Sequence, residues 1–87
     1  MYYVYFLLLD RKLIYKGFTA DLKRRISEHK RAKVKSTLRH KDKLLIGYES
    51  YLMKSDAQRR EKFLKTSEGR KLFRRQYRDI LRKYSID

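Results

Sequence analysis

The chain has 87 residues, a formal net charge of +15, and neither cysteine nor proline. This length allows a single domain spanning residues 1–87, since chains so short bury only about 60–70% of their unfolded surface, and the missing cysteines exclude disulfide scaffolds, thiolate zinc sites and thiol nucleophiles. The longest apolar run, Val4–Leu9, is too short to cross a bilayer and has no basic segment before it, so we expect a soluble, cytoplasmic protein with no membrane partner.

The first two predicted elements form a β-hairpin. Residues 2–9 are apolar on both alternating faces, which is typical of a central strand covered on both sides, and residues 13–18 resume a strand pattern after a polar break. A three-residue loop predicts that the paired residues are Leu9 with Leu13, Leu7 with Tyr15, and Tyr5 with Gly17. Tyr5 and Tyr15 would then be diagonal neighbours about 7–8 Å apart, and Gly17 would leave open space beside Tyr5. A slip of one residue would put the two tyrosines on opposite faces.

A helix, a loop and a third strand are predicted next. The helix spans Thr19–Lys33, with Thr19 or Asp21 as its N-cap. One side of it carries four residues at helical spacing: Leu22, Arg25, Ile26 and His29. Residues 34–43 are polar and basic without a clear period, which indicates an exposed loop, and residues 44–51 form the third strand candidate.

The second predicted helix carries an unusual carboxylate. Ser55 and Gln58 match a capping box that opens a helix over Asp56–Lys65. The inward stripe of this helix consists of Ala57, Glu61 and Leu64. A carboxylate on the apolar side of a helix needs a partner, so Glu61 would either bind a metal ion or form a salt bridge to Arg or Lys.

The last predicted helix is strongly amphipathic. It begins at Thr66 or Ser67, and its apolar stripe consists of Leu72, Phe73, Gln76, Tyr77, Ile80, Leu81 and Tyr84. Its outer face is basic, with Arg70, Lys71, Arg74, Arg75, Arg78 and Arg82. The resulting order β-β-α-β-α-α predicts an α+β domain in which helices flank a three-stranded antiparallel sheet.

The positive charge calls for an anionic partner. Twenty-five Lys and Arg against ten Asp and Glu would repel one another in a compact domain. Disorder is disfavoured, because 41% of the residues are hydrophobic and twelve are Tyr or Phe. An isoelectric point near 10.3 favours nucleic acid over an acidic protein or an anionic membrane surface. The candidate nucleic-acid contacts are Lys16, Lys33, Lys35, Arg39, Arg70 and Arg74.

An ordered set of motifs covering essentially the whole chain resembles the GIY-YIG nuclease domain. The segments are Tyr3-Val4-Tyr5, Tyr15-Lys16-Gly17, Asp21-Leu22-Lys23-x-Arg25-Ile26-x-Glu28-His29, Arg59-Arg60-Glu61-Lys62-x-Leu64-Lys65 and Ser67-x-Gly69-Arg70. The chain looks most like small stand-alone members related to the nuclease module of the excision endonuclease of DNA repair. The resemblance implies cleavage of DNA phosphodiester bonds with a single divalent cation, Mg²⁺ or Mn²⁺, and no small-molecule cofactor. The implied active site consists of Tyr5, Tyr15, Arg25 and Glu61, with His29 as a further active-site group.

These residue types suit phosphodiester hydrolysis on chemical grounds. Glu61 alone can hold a hard cation whose other ligands are mostly water. Arg25 offers a bidentate fork to phosphate. Nearby guanidinium, lysine and metal charges would lower the pKa of a tyrosine from its reference value of about 10. We therefore predict that Tyr15 activates the water and that Tyr5 is its hydrogen-bonding partner, although these two roles could be exchanged.

Three positions depart from the family pattern. Tyr3 stands in place of the first motif glycine, as is common in this subgroup. Lys16 replaces an apolar residue, and it would either lower the pKa of Tyr15 or point away from the site. Phe18 occupies a place where some relatives carry a basic residue, so one phosphate contact would be missing.

The primary hypothesis is a metal-dependent endonuclease that hydrolyses DNA without a covalent intermediate. The first alternative is a non-catalytic nucleic-acid-binding module on the same scaffold, in which the tyrosines are structural. The second is a basic protein that docks on an acidic partner. An RNA substrate, the substrate preference and the oligomeric state stay open at this point.

Overall fold

The fold is an antiparallel sheet between two layers of helices, as seen in a computed structural model that describes residues 1–86. The elements are β1 (Tyr2–Leu9), β2 (Leu13–Thr19), α1 (Leu22–Lys30), β3 (Lys43–Tyr51), α2 (Lys54–Leu64), α3 (Ser67–Gln76) and α4 (Arg78–Lys83). The strand order is β2-β1-β3, with both pairs antiparallel. The α+β prediction is confirmed. Among the helices of residues 1–86, none has the length and apolar character needed to cross a membrane.

Strand β1 lies in the middle of the sheet and separates two hydrophobic clusters. From Val4 to Leu9 every residue is buried, with at most 4% of its surface exposed. On the side covered by α1, the packed residues are Tyr5, Leu7, Leu9, Leu22 and Ile26. On the side covered by the later helices, they are Val4, Phe6, Ala57, Leu64, Phe73 and Leu81. The central strand covered on both sides is therefore confirmed.

The β1–β2 hairpin has the predicted register. Its paired residues include Leu9 with Leu13, Leu7 with Tyr15, and Tyr5 with Gly17. In the turn, Asp10 and Arg11 have left-handed φ angles of 52° and 58°, and the amide of Lys12 donates to the Leu9 carbonyl at 3.0 Å. Left-handed turn residues match the twist of antiparallel strands, so this tight connection sets the register.

Helix α1 is shorter than the sequence predicts. The Asp21 carboxylate accepts a hydrogen bond from the Arg24 amide at 3.1 Å, which confirms Asp21 as the N-cap. The helix ends at Lys30 rather than Lys33, because Ala32 has a left-handed φ of 59° that the helix cannot continue through.

The segment between α1 and β3 is only partly the exposed loop that the sequence predicts. Val34 and Thr37 are buried, and a short 3₁₀ turn spans Lys35–Thr37. The Asp10 carboxylate accepts hydrogen bonds from two backbone amides near the end of this segment and contacts the His40 ring at 2.8 Å. These contacts hold the segment against the hairpin turn.

Two helix predictions in the last third of the chain are wrong. Helix α2 begins at Lys54 and has Met53 as an N-cap without a side-chain hydrogen bond, so the capping box at Ser55 does not exist. The predicted long last helix is interrupted at Tyr77, whose φ and ψ of −114° and 28° separate α3 from α4. The start of α3 is as predicted, because the Thr66 hydroxyl accepts a hydrogen bond from the Gly69 amide at 3.1 Å.

Gly69 lets α3 approach the end of α2. A Cβ atom at this position would collide with the backbone carbonyl of Phe63. The close approach keeps the α2–α3 connection tight and thereby fixes α2 against the sheet.

A carboxylate on β3 joins the strand to α2 and to the junction between α3 and α4. Both oxygens of Glu49 are paired: Oε1 accepts from Tyr51 at 2.7 Å and from Arg60 Nε at 2.9 Å, while Oε2 accepts from Arg60 Nη2 at 3.2 Å and from Tyr77 at 2.8 Å. Tyr77 is therefore held by a polar bond at the position where the last helix breaks.

Candidate active site

A cavity of about 330 Å³ lies at the β2 edge of the sheet and contains the four residues that the family motifs point to. Its walls are formed by Tyr5, Tyr15, Gly17, Phe18, Arg25, Gln58, Glu61 and Lys62. These residues come from β1, β2, α1 and α2, which are separate elements of the fold. The structure thus brings together two phenols, a guanidinium and a carboxylate that are distant along the chain.

The two tyrosines are neighbours because of the hairpin register. The ring centroids of Tyr5 and Tyr15 are 6.2 Å apart. The Tyr5 ring fills the space that the missing side chain of Gly17 leaves, since a Cβ there would overlap the Tyr5 hydroxyl end. Tyr5 is 1% exposed, whereas Tyr15 is half-buried and receives a hydrogen bond from the Ser36 hydroxyl at 3.2 Å. Tyr15 is therefore the phenol more open to solvent.

His29 lies behind Tyr5 and is fully buried. Its Nε2 lies 2.7 Å from the Tyr5 hydroxyl, and its Nδ1 lies 2.7 Å from the Thr37 hydroxyl. Burial, assisted by the charges of Arg25 and Lys43, lowers the pKa of His29 from 6.5 to about 4. The imidazole is neutral at pH 7, so one ring nitrogen donates and the other accepts. Tyr5, His29 and Thr37 form a chain that we call the tyrosine–histidine relay.

The pKa of Tyr5 is not lowered, contrary to the general expectation for tyrosines at this site. Burial raises it to about 12, and the neighbouring Arg25 guanidinium opposes that rise only in part. Burial is the larger effect because the phenolate would lose its hydration inside the protein. Tyr5 thus remains a protonated phenol at pH 7.

Arg25 is held between a phenol and a carboxylate. Hydrogen bonding to Tyr5, opposed by partial burial and reinforced by Glu28, raises the pKa of Arg25. Its Nη1 donates to Glu28 at 3.0 Å, and Arg24 donates to the same carboxylate at 3.3 Å. The Arg25 side chain retains 37% exposure and lines the cavity, so its remaining donors can reach a bound anion.

Glu61 is the one carboxylate on the cavity wall. Its side chain is 19% exposed, and its Oε2 accepts a hydrogen bond from Lys65 at 2.7 Å. The salt bridge that the sequence left as an alternative to metal binding therefore exists. Lys65 is 54% exposed and one helical turn away, so it can swing aside at little cost.

The donor set of the cavity suits a hard cation that keeps much of its water. Glu61 supplies a carboxylate, and the cavity has room for several waters and a phosphate. Residues 1–86 contain no group of three or more His, Asp or Glu side chains placed so that they could hold a metal ion together.

The predicted nucleic-acid contacts fall into two groups. Lys33, Lys35 and Arg39 are exposed on the segment that contacts Tyr15 through Ser36. Lys16 points away from Tyr15, with its Nζ 4.8 Å from the centroid of the Phe73 ring, and shares a second cavity with Arg70 and Arg74. Of the two possibilities for Lys16, the structure supports the second.

Sequence reasoning missed several residues of the site. Thr37 and Ser36 lie in the segment interpreted as a loop, and Gln58 and Lys62 line the cavity beside Glu61. One signal could have indicated Thr37: with Val34 it forms an i, i+3 pair of β-branched residues in an otherwise basic stretch. Phe18 lies on the cavity wall and stacks on Tyr2, with ring centroids 6.2 Å apart.

Comparison with protein families matches residues 1–76 to the GIY-YIG catalytic domain. Searches of curated proteins and of solved structures give no significant match. The family match covers most of the chain and includes every residue that lines the cavity at the β2 edge. The chain therefore belongs to the GIY-YIG family of nuclease domains.

Proposed function

We propose that this protein is a divalent-metal-dependent endonuclease that hydrolyses phosphodiester bonds in DNA. The observation that carries the proposal is the meeting of Tyr5, Tyr15, Arg25 and Glu61 in one open cavity of a GIY-YIG domain with a net charge of +15. A reaction of this kind needs a proton acceptor for water, a stabiliser for phosphoryl charge and help for the leaving oxygen.

Glu61 is the residue that would hold the cation, Mg²⁺ or Mn²⁺, after release from Lys65. Such an ion, when bound, neutralises charge on the phosphoryl and leaving oxygens and acidifies bound water. The donor chemistry of the cavity supports this assignment, since Mg²⁺ commonly uses one or two carboxylates and retains several waters.

Tyr15 is our choice for the group that takes the proton from the attacking water, as a phenolate that has released its own phenolic proton to solvent. It is the more solvent-accessible of the two phenols, and its hydroxyl already receives a hydrogen bond from Ser36 at 3.2 Å. Tyr5 is buried, is bonded to His29 and has a pKa of about 12, which suits a phenol that stays protonated and orients its neighbours. Arg25 would bind the non-bridging oxygens of the phosphate through its free donors.

The runner-up function is a non-catalytic nucleic-acid-binding module. The Glu61–Lys65 ion pair is the observation that favours it, because it satisfies the carboxylate without a metal. In that case Tyr5 and Tyr15 would serve only to pack the sheet against α1, and DNA binding would not depend on a divalent cation.

Nicking of supercoiled DNA by the purified protein separates the two functions. We expect Mg²⁺- or Mn²⁺-dependent nicking that falls at least about 100-fold in Glu61→Gln and in Arg25→Ala, with DNA affinity retained within a few-fold. The matched controls are Glu68→Gln, an exposed acid on α3, and Arg24→Ala, the exposed neighbour of Arg25. If Glu61→Gln nicks as well as its control does, the endonuclease assignment of this cavity is wrong. A parallel assay on RNA defines the nucleic acid class.

A further inference from the structure

A second cavity lies on the face of β2 opposite the 330 Å³ cavity that contains Glu61, which we call the catalytic cavity after the proposed function. Adjacent residues of a strand point to opposite faces, so Lys16 points toward α3 while Tyr15 and Gly17 line the catalytic side. The cavity has a volume of about 280 Å³, and its walls include Lys12, Lys16, Arg70, Phe73 and Arg74. We call it the cation pocket.

Within residues 1–86, no acidic group compensates the charge of the cation pocket. Four of its lining residues are basic and none is acidic. Among residues 1–86, no carboxylate forms an ion pair with Lys12, Lys16, Arg70 or Arg74. These cations therefore repel one another unless an anion lies between them.

Lys16 is the most constrained of these cations. It is half-buried, and its Nζ lies 4.8 Å from the centroid of the Phe73 ring. Burial, followed by the charges of Arg70, Arg74 and Lys65, lowers its pKa. A long side chain on an edge strand could extend into water, yet this ammonium group is held inside a basic cavity. Such an arrangement is favourable when a bound anion offsets the repulsion.

A third cavity links the cation pocket to the catalytic cavity through shared wall residues. It has a volume of about 310 Å³ and is lined by Ile14, Tyr15, Lys16, Lys65 and Arg70. Tyr15 also lines the catalytic cavity, and Ile14, Lys16 and Arg70 also line the cation pocket. The three cavities are therefore neighbours around the β2 edge.

We propose that the cation pocket binds a backbone phosphate of the cleaved DNA strand, at a position other than the phosphate that is cleaved. The strand then crosses the β2 edge past Tyr15. The proposal rests on the proposed function and adds a fixed second phosphate site to it. The guanidinium groups of Arg70 and Arg74 and the ammonium groups of Lys12 and Lys16 are donors of the kind that bind the oxygens of a phosphate diester. Because one phosphate of the strand is held in each of the two cavities, the strand follows a defined path past Tyr15.

A matched pair of double variants tests the pocket against charge alone. Arg70→Ala/Arg74→Ala removes two cations from the pocket, and Lys71→Ala/Arg75→Ala removes two exposed cations from the same helix at the same spacing. We expect the pocket variant to weaken binding of a short DNA duplex about tenfold and to reduce the slope of log affinity against log salt by about one, as for one lost phosphate contact. The control should change both quantities much less. Equal losses in the two variants would overturn the proposal.

Inorganic phosphate and Lys16→Met supply a test that does not depend on nuclease activity. In wild type, phosphate should shift the NMR signals of residues around Lys16 and Phe73 first, and Lys16→Met should abolish that response. The same variant should raise the melting temperature by a few degrees, because it removes a repelled cation while keeping contact with Phe73. Phosphate shifts spread evenly over the basic surface, or unchanged in Lys16→Met, would contradict the proposal.

The two tests also separate the pocket from the proposed function. Specific phosphate shifts and a pocket-dependent DNA affinity without nicking would retain the pocket and reject the endonuclease. Nicking that needs Glu61, together with equal binding by the two double variants, would retain the endonuclease and reject the pocket.

Discussion

Two buried polar clusters lie on opposite faces of the sheet and handle their polar groups differently. The tyrosine–histidine relay, on the α1 face, consists of neutral groups and ends at the catalytic cavity. The cluster around Glu49, on the other face, is ionic: the carboxylate accepts four hydrogen bonds, and the Glu49 and Arg60 side chains are each 20% exposed.

The difference lies in what each cluster leaves available. Burial alone would raise the pKa of Glu49, but hydrogen bonds from Arg60, Tyr51 and Tyr77 outweigh it, so the pKa is lowered and the charge is fixed. In the relay, by contrast, Tyr5 lines the cavity in which we propose that substrate binds. The Glu49 cluster joins β3 to α2 and to Tyr77 at the end of α3, and under the proposed function the relay orients the Tyr5 hydroxyl. We expect changes in the first to affect stability, and changes in the second to affect activity.

The two clusters should lose their contributions to stability over different pH ranges, and this is the largest effect we expect. The folded state lowers the pKa of His29 from 6.5 to about 4. Between these two pH values, the unfolded chain therefore binds a proton at His29 and the folded chain does not. The relay contributes fully to the free energy of unfolding above pH 6.5. As the pH falls to about 4, up to about 3 kcal/mol of this contribution is lost. Glu49 has a lowered pKa, so its contribution is lost only below about pH 4.5. Urea unfolding at several pH values measures the sum.

An NMR titration of the His29 ring shows whether the loss of stability in the higher of the two pH ranges comes from this residue. A ring that protonates near pH 6.5 in the folded protein would contradict the account of the relay.

Glu49→Gln should reduce the free energy of unfolding by about 2–3 kcal/mol. The substitution keeps the shape of the side chain but leaves the Arg60 guanidinium without its anion in a largely buried place. Asp56→Asn is the control, since the Asp56–Arg59 pair is exposed and should contribute less than about 1 kcal/mol. Denaturant unfolding gives both values, and nicking per folded molecule should be unchanged in both variants. Equal stability of the two variants would contradict the structural role of the Glu49 cluster.

Tyr5→Phe should have the opposite profile. It removes the hydroxyl that joins the cavity to His29, so we expect nicking to fall about 30-fold, equivalent to about 2 kcal/mol. The ring, which packs over Gly17, is retained, and the melting temperature should change by only a few degrees. Single-turnover nicking and thermal unfolding measure the two effects. A variant that is unstable yet fully active per folded molecule would place Tyr5 in the core rather than in the reaction.

Thr37→Val is the smallest and most specific change. Thr37 acts on the site only through its contact with His29, so we class it as a positioning residue. We expect the valine substitution to lower nicking about tenfold. Thr37→Ser keeps the hydroxyl and should restore most of the activity. The His29 ring signals in NMR should change in the valine variant and remain near wild type in the serine variant. If the serine variant is impaired and the valine variant is not, the methyl packing of Thr37 matters rather than its hydrogen bond.

The hairpin, and with it the proximity of Tyr5 and Tyr15, could be predicted from the sequence because short-range rules govern them. Strand alternation and a three-residue loop decide the register, and the register alone brings Tyr5 next to Tyr15. The apolar stripe of α2 likewise predicts that Glu61 faces inward. Its position at the catalytic cavity, however, followed from the family motifs and not from periodicity.

The polar partners could not be predicted, since they depend on which distant segments meet. Thr37 contacts His29 from the segment that follows α1, and the backbone amides of Lys41 and Asp42 at the end of that segment bond to Asp10 in the hairpin turn. Glu49 binds Arg60 and Tyr77 across three elements, and no local pattern in β3 indicates this. The break at Tyr77 has the same origin, because helical periodicity continues through it in the sequence.

The exposed link between β3 and α2 makes the proposed activity dependent on an uncut chain. Leu52 is 77% exposed and Met53 is 57% exposed, so this link is open to proteases. A single cleavage there would put both phenols and the guanidinium on one fragment and Glu61 on the other. Neither fragment would then carry the complete proposed site, and limited digestion followed by mixing of the pieces would show whether they reassemble into an active enzyme.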